Sequence, residues 1–271
     1  MPARRTLLDD RPFPRDSYPR FVAVRRLDRA DCRIPGALPR SWSIFDFVLM
    51  WLGGQLGALL AASMVIGGGD AEGTFLATIV GHYVGALGVF WLLARNKDSN
   101  AIGFVIRGGD FAFLALGLVL QMAVALLFLP ISELLFPDGR PQQEVAESLA
   151  NAETTLVQIV LVFAYVVVGP AVEELTYRGV LLRALEPRGK WFAIIVSSTV
   201  FAAIHLPGID PSDLWRSTLL YIPPFLILGM LLAWLTLRNG RLGPAIFLHS
   251  GFNLLAAFVF LLPPELIEQV S

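Results

Sequence analysis

Apolar residues in this chain are concentrated in blocks that are long enough to cross a lipid bilayer. An α-helix rises about 1.5 Å per residue, so roughly 20 residues span the hydrocarbon core. Continuous blocks, rather than amphipathic stripes, argue against a soluble protein with a large core. The pattern predicts an all-α, polytopic membrane helical bundle of about seven transmembrane helices. The blocks cover about residues 44–66, 74–94, 111–132, 156–185, 191–206, 217–237 and 242–262.

The composition agrees with this fold class and excludes some partners. Of the 271 residues, 55% are hydrophobic and 16% are charged, against about a quarter charged in a soluble domain. The net charge of −1 gives no reason to expect nucleic acid as a partner. The single cysteine, Cys32, excludes an intrachain disulfide and a cysteine-rich zinc site. The partner that the composition does indicate is the lipid bilayer.

Residues 1–43 form a polar arm that is rich in Arg and Pro and lacks both an apolar block and a signal-peptide pattern. We expect this arm to be disordered and residues 44–271 to form the membrane domain. Basic residues fall in alternate loops, and cytoplasmic loops are the ones that carry an excess of Lys and Arg. We therefore expect an integral, multi-pass protein of a bacterial cell membrane, with its N-terminus in the cytoplasm. The basic residues of these loops are Arg95, Lys97, Arg107, Arg183, Arg188, Lys190, Arg238 and Arg241.

The first of three polar clusters inside the apolar blocks contains Glu173, Glu174 and Arg178. Ionisable side chains in a bilayer are costly and by default mark a functional site. Adjacent helical residues point about 100° apart, so the two carboxylates have different roles. Glu174 and Arg178 are spaced to form an i,i+4 ion pair, which leaves Glu173 unpaired and suited to act as a general base. The alternative is that the cluster is only the polar end of a helix entering the cytoplasm.

The other two clusters place histidines one helical turn from a second conspicuous residue. His205 follows Phe201, and His249 precedes Asn253. His249 and Asn253 can both donate hydrogen bonds into one pocket. The alternatives are that His205 bonds a neighbouring carbonyl and that His249 and Asn253 join helices together.

Chain length along two neighbouring helices predicts that two of these clusters lie at the same depth. Glu173 lies 16 residues before Gly189, and His205 lies 16 residues after it. At about 1.5 Å per residue, both are about 24 Å from the turn. The remaining histidine, His82, has no polar companion one turn away, so we expect it to be structural.

Taken in order, these motifs resemble those of a known protease family. Glu-Glu-x-x-x-Arg at 173–178, Phe-x-x-x-His at 201–205 and His-x-x-x-Asn at 249–253 resemble the CPBP family. This family comprises CAAX-processing and bacteriocin-processing intramembrane proteases, including the type II CAAX prenyl endopeptidases. The resemblance covers about residues 155–260, the motif-bearing core of the membrane domain. It implies an all-helical membrane fold whose catalytic cavity opens toward the cytoplasm.

The resemblance also implies a role for each candidate residue. Glu173 would activate the attacking water with help from His205, and His249 with Asn253 would stabilise the oxyanion. The remaining candidates would brace the site or contact the substrate. The bracing residues would be Glu174 and Arg178, and the substrate-binding residue would be Phe201.

No cofactor follows from the motifs, although zinc is an open alternative. There is no His-Glu-x-x-His pair, and the ligands would come from three separate helices. A metal-free glutamate mechanism needs only the candidate residues already named. The zinc alternative would use Glu173, His205 and His249.

The sequence therefore favours an intramembrane endopeptidase that cleaves a membrane-associated protein or peptide. CAAX-type, bacteriocin-type and signal-peptide-type processing all fit the pattern. The second hypothesis is a non-catalytic membrane scaffold of the same fold that binds a partner through the polar pocket. A transporter is a third, but it would require internal repeats and a second broken helix, and the sequence contains neither.

Overall fold

The fold of the described residues is entirely helical. A computed structural model describes residues 41–65, 71–137, 148–149, 152, 154–206 and 213–261. Within these ranges there are helices and no β-strand, which confirms the predicted fold class. The predicted polar arm, residues 1–43, lies outside the described residues except for its last three positions, 41–43.

Seven main helices follow the predicted apolar blocks closely. Six of them are long and apolar enough to cross a membrane. The exception is the fifth, which has 14 residues and is about 21 Å long, shorter than the hydrocarbon core. The helices are α1 Ile44–Val65, α2 Ala71–Ala94, α3 Phe111–Leu135, α4 Thr155–Arg188, α5 Lys190–Ala203, α6 Leu214–Asn239 and α7 Gly243–Phe260.

Helices α1 and α2 pack backbone against backbone through glycines spaced four residues apart. A Cβ atom added to Gly57 would lie 2.1 Å from the carbonyl oxygen of Gly81, and one added to Gly85 would lie 2.1 Å from that of Gly53. Small residues at such positions allow membrane helices to approach closely enough for extensive van der Waals contact. The four glycines therefore fix where these two helices cross.

Helix α7 is the most enclosed of the long helices. In an apolar stretch of 18 residues, 67% of α7 is buried inside the protein, against 17% for the corresponding stretch of α1 and 11% for those of α2 and α3. It lies directly against α3, because a Cβ atom on Gly117 would be 2.1 Å from the carbonyl oxygen of Leu248. A Cβ atom on Gly251 would similarly be 2.0 Å from the carbonyl oxygen of Leu114. Side chains of α7 that face away from lipid are thus held inside the bundle.

Helix α4 is not a regular α-helix. It contains two π-helical stretches, Ala164–Val168 and Glu174–Leu181, which flank the short α-helical turn Gly169–Glu173. In the first stretch the N–H of Gly169 donates to the carbonyl of Ala164, and the next residue is Pro170, which has no N–H. The carbonyl of Tyr165 therefore loses its usual helical donor. Such π-helical turns are often found at functional sites.

Helix α5 returns along α4 after a tight turn and packs on α6. The turn depends on Gly189, whose φ of 121° is a conformation that favours glycine. At the α6 interface, a Cβ atom on Gly229 would be 3.1 Å from the Cβ of Ser198. This close approach brings the backbone of α6 within reach of side chains from α4.

Ion pairs join the helix ends at which the predicted cytoplasmic loops lie. The Nζ atom of Lys97 lies 2.6 Å from Oδ2 of Asp46, which links the end of α2 to the start of α1. Asp110 pairs with Arg241, linking the start of α3 to the loop before α7. These contacts agree with a common end for the basic loops, and the side of the membrane on which that end lies stays a prediction.

Candidate active site

The predicted ion pair between Glu174 and Arg178 is present and is completely buried. The Nη1 atom of Arg178 lies 3.0 Å from Oε1 of Glu174, and both side chains have 0% exposed surface. The Nη2 atom of Arg178 donates to the carbonyl of Gly229 at 3.2 Å. Its guanidinium carbon lies 4.2 Å from the centre of the Phe201 ring. Arg178 therefore joins α4 to both α5 and α6.

His249 lies between the two adjacent carboxylates. Its Nδ1 atom is 3.0 Å from Oε1 of Glu174, and its Nε2 atom is 3.8 Å from Oε2 of Glu173. Because the ion-paired carboxylate of Glu174 accepts the hydrogen bond, Nδ1 carries the hydrogen. The expectation that Glu173 has no partner was wrong, since α7 brings an imidazole to it. Glu173 keeps 26% of its side chain exposed, whereas Glu174 has none.

The three polar clusters meet around the ring of Phe201. The centre of this ring is 4.9 Å from the ring centre of His205 and 5.7 Å from that of His249. Phe201 has 0% exposed surface. Its ring therefore packs against both histidines inside the protein, and its direct contact with a substrate stays a prediction.

His205 is held with one ring nitrogen turned toward its own helix. Its Nδ1 atom lies 2.8 Å from the carbonyl oxygen of Phe201, which was the alternative expected for a lone histidine. A carbonyl can only accept, so Nδ1 carries the hydrogen and Nε2 keeps a free lone pair in the neutral ring. The ring of Phe225 stacks on the His205 ring, with 4.0 Å between the two ring centres. Among the described residues, no hydrogen bond or ion pair joins His205 to Glu173, and their common depth stays a prediction.

Asn253 satisfies the backbone carbonyl that the proline in α4 leaves free. Its Nδ2 atom donates to the carbonyl oxygen of Tyr165 at 2.9 Å. This contact joins α7 to α4, which is the helix-joining role that the sequence left open. An amide nitrogen carries two hydrogens, so Asn253 retains a second one for another acceptor.

The zinc alternative does not fit the arrangement of these side chains. Zinc requires three or four ligand atoms, each about 2.0–2.2 Å from the metal when they are nitrogen or oxygen. Nowhere in the described ranges do three or more His, Cys, Asp or Glu side chains form a group that could hold a metal ion. His249 directs Nδ1 to Glu174, and within the described ranges neither a hydrogen bond nor an ion pair links Glu173 to His205. Glu173, His205 and His249 are therefore not assembled as a zinc site.

Several residues near the site were not among the sequence candidates. The Glu173 carboxylate lies within electrostatic reach of three phenols, those of Tyr83, Tyr165 and Tyr177. Tyr177 could have been found, because it lies one turn after Glu173 inside the first motif. Tyr83 could not, because it comes from α2 and approaches only through helix packing. The carbonyl of Gly229, which accepts a hydrogen bond from Arg178, could not have been predicted either, because it comes from α6 and approaches only through helix packing.

Comparison with models of known protein families gives a match that covers the part of the chain that carries the site. Neither the curated proteins nor the solved structures contain a match to this chain. A family model described as "Type II CAAX prenyl endopeptidase Rce1-like" matches residues 155–255. This range includes all three motifs and agrees with the resemblance to the CPBP family. Residues 155–255, which carry the candidate site, are therefore similar to the Rce1-like type II CAAX prenyl endopeptidases.

Proposed function

We propose that this protein is an intramembrane endopeptidase that hydrolyses a peptide bond of a membrane-associated protein or peptide. The family match supports a peptidase at the family level. The observation that carries the proposal is the position of His249, with Nδ1 on Glu174 and Nε2 facing the partly exposed carboxylate of Glu173. One acid, one imidazole and a buried ion pair behind them form a site for acid–base chemistry.

Glu173 is the proposed general base. Its carboxylate is the partly exposed one of the two, so a water molecule and a substrate can reach it. The water oxygen adds to the scissile carbonyl carbon while its proton passes to the Glu173 carboxylate. The C–N bond then breaks as Glu173 returns that proton to the leaving amine. The free Nε2 lone pair of His205 assists by accepting a hydrogen bond from the water.

His249 is the proposed donor to the oxyanion of the tetrahedral intermediate. Because its Nδ1–H is directed to Glu174, Nε2 can donate only when the ring is protonated. In that state the two cations, Arg178 and His249, balance the two carboxylates, as buried charges require. The second amide hydrogen of Asn253 is the other proposed donor.

The proposed substrate is a prenylated peptide of the CAAX type. This follows from the description of the matching family, which names CAAX prenyl endopeptidases. Maturation of a bacteriocin or a signal peptide is the alternative within the same reaction class. The buried, apolar surroundings of the site agree with a substrate segment that lies in or close to the bilayer.

The test uses the full chain reconstituted in liposomes and two fluorogenic peptides. One is a farnesylated peptide ending in a CAAX sequence, and the other is an unprenylated transmembrane peptide. We expect the wild type to cleave the farnesylated peptide and Glu173→Ala to abolish cleavage while folding and insertion are retained. Glu133→Ala, which removes an exposed carboxylate on α3, is the matched control and should keep the wild-type rate. Full activity of purified Glu173→Ala protein would remove the proposal.

A second measurement identifies the natural substrate class. Membrane-associated peptides are compared between cells that carry the wild-type protein and cells that carry Glu173→Ala. Peptides that accumulate uncleaved only in the variant are substrates. If the variant fully replaced the wild type in a deletion strain, the scaffold hypothesis would be favoured instead.

A further inference from the structure

We propose that Tyr83, on α2 and outside the segment that matches the family, donates its hydroxyl hydrogen to the oxyanion formed at this site. The inference rests on the proposed peptidase function and adds a catalytic residue to it. Tyr83 would then supply a hydrogen bond that none of the three motifs contributes. Helix packing, the geometry of α4 and the hydrogen bonds of the other donors each support this assignment.

The packing of α2 on α4 places the Tyr83 hydroxyl against Gly169. A Cβ atom added to Gly169 would lie 2.8 Å from the Tyr83 hydroxyl oxygen and 3.7 Å from the ring carbon that bears it. Any side chain at position 169 would therefore push the phenol away. The glycine leaves just enough space for the end of the Tyr83 side chain to reach the surface of α4.

The surface that Tyr83 reaches is the one over which Glu173 extends. Gly169 and Glu173 are the first and last residues of an α-helical turn, so they are i,i+4 neighbours on one face. Helical side chains lean toward the N-terminus, which carries the Glu173 carboxylate back over the turn that contains Gly169. In agreement, the Glu173 carboxylate is close enough to the Tyr83 phenol to interact with it electrostatically. The hydroxyl and the carboxylate thus approach the same reaction space from two helices.

The existing hydrogen bonds leave Tyr83 available as a donor. His249 directs Nδ1–H to Glu174, and Asn253 uses one amide hydrogen on the carbonyl of Tyr165. The hydroxyl of Tyr83, by contrast, makes no hydrogen bond with any residue in the described part of the chain. A preorganised neutral O–H group beside the general base is the kind of donor that stabilises an oxyanion.

The test is Tyr83→Phe, which keeps the ring and removes only the hydroxyl. With the farnesylated peptide, or with the transmembrane peptide if the wild type cleaves that one, we expect kcat to fall about 10²–10³-fold. KM should stay within about twofold, since the lost bond forms only in the transition state. Affinity for a peptide phosphonate, which mimics the tetrahedral intermediate, should fall by about the same factor as kcat.

The matched control is Thr78→Val on the same helix. The Thr78 hydroxyl donates to the carbonyl of Thr74 at 2.8 Å, within its own helix, so its removal should leave kcat and phosphonate affinity unchanged. Wild-type kcat and phosphonate affinity in Tyr83→Phe would overturn the role of Tyr83. Equal losses of affinity for the phosphonate and the uncleaved peptide would overturn it too, because they would indicate a purely structural effect. If Glu173→Ala stays active, it is the proposed function that fails.

Discussion

The α1–α2 pair and the helices around His249 differ in the groups that hold the helices together. In the first region, glycine backbones touch each other, and only 17% of the apolar stretch of α1 and 11% of that of α2 are buried. In the second, a buried carboxylate, guanidinium and imidazole join four helices, and 67% of the apolar stretch of the helix carrying His249 is buried. Contact with lipid is compatible with the first kind of packing and not with the second.

The physical reason lies in the solvent on each side of the helices. Lipid tails are as apolar as leucine side chains, so close van der Waals contact between small residues is enough to hold α1 on α2. Charged groups have no such freedom, because in the bilayer they must pair with each other inside protein. The charged groups of the candidate site are therefore found where the bundle surrounds them, and the first helices form the lipid-facing part of that enclosure.

The largest expected effect comes from removing the cation of the buried ion pair. Arg178→Leu leaves the Glu174 carboxylate without its partner and should destabilise the protein by about 3–5 kcal/mol. Thermal unfolding in detergent micelles measures the loss. The double variant Glu174→Leu/Arg178→Leu should recover much of the stability but not the cleavage activity. Arg238→Leu, which removes a guanidinium lying over the Trp234 ring, is the control and should have little effect. If Arg178→Leu and Arg238→Leu lost the same stability in thermal unfolding, the buried ion pair would contribute no more than an exposed guanidinium, contrary to this account.

A smaller effect is expected where glycine packing is broken. Gly57→Leu would force a side chain into the backbone of α2 and should cost on the order of 1–3 kcal/mol. Gly88→Leu is the matched control, since a Cβ atom there meets nothing within 4 Å. If both variants lost the same stability in thermal unfolding, close packing at Gly57 would not be what holds α1 on α2.

The smallest of the three effects concerns the carbonyl that Pro170 leaves free. Asn253→Ala leaves the buried carbonyl of Tyr165 without a donor and should cost about 1–2 kcal/mol in thermal unfolding. In a Pro170→Ala background, position 170 regains an N–H that can bond within the helix, so the same substitution should cost measurably less. Equal costs in the two backgrounds would show that the amide does not compensate for the proline.

Much of the fold, and only part of the site, could be predicted from the sequence. The helix bounds followed from the lengths of apolar blocks, and the pair Glu174–Arg178 followed from i,i+4 spacing, because both depend on residues close in the chain. The contact of His249 with both carboxylates joins residues more than 70 positions apart, and no local spacing encodes it. The same is true of Tyr83, whose approach depends on where α2 crosses α4. The sequence did not predict the π-helical stretches of α4. A proline accompanies the first stretch, and nothing in the residue types of the second signals an irregular helix.

The most direct test of the shared site is a double-variant cycle on Glu173 and His249. Cleavage rates of the reconstituted protein are measured for Glu173→Gln, His249→Gln and the double variant. If the two side chains act on the same tetrahedral intermediate, each single substitution should lower kcat at least about 10²-fold, and the double variant should be no slower than the slower single one. Losses that multiply in the double variant, or a full rate in either single variant, would contradict a common site.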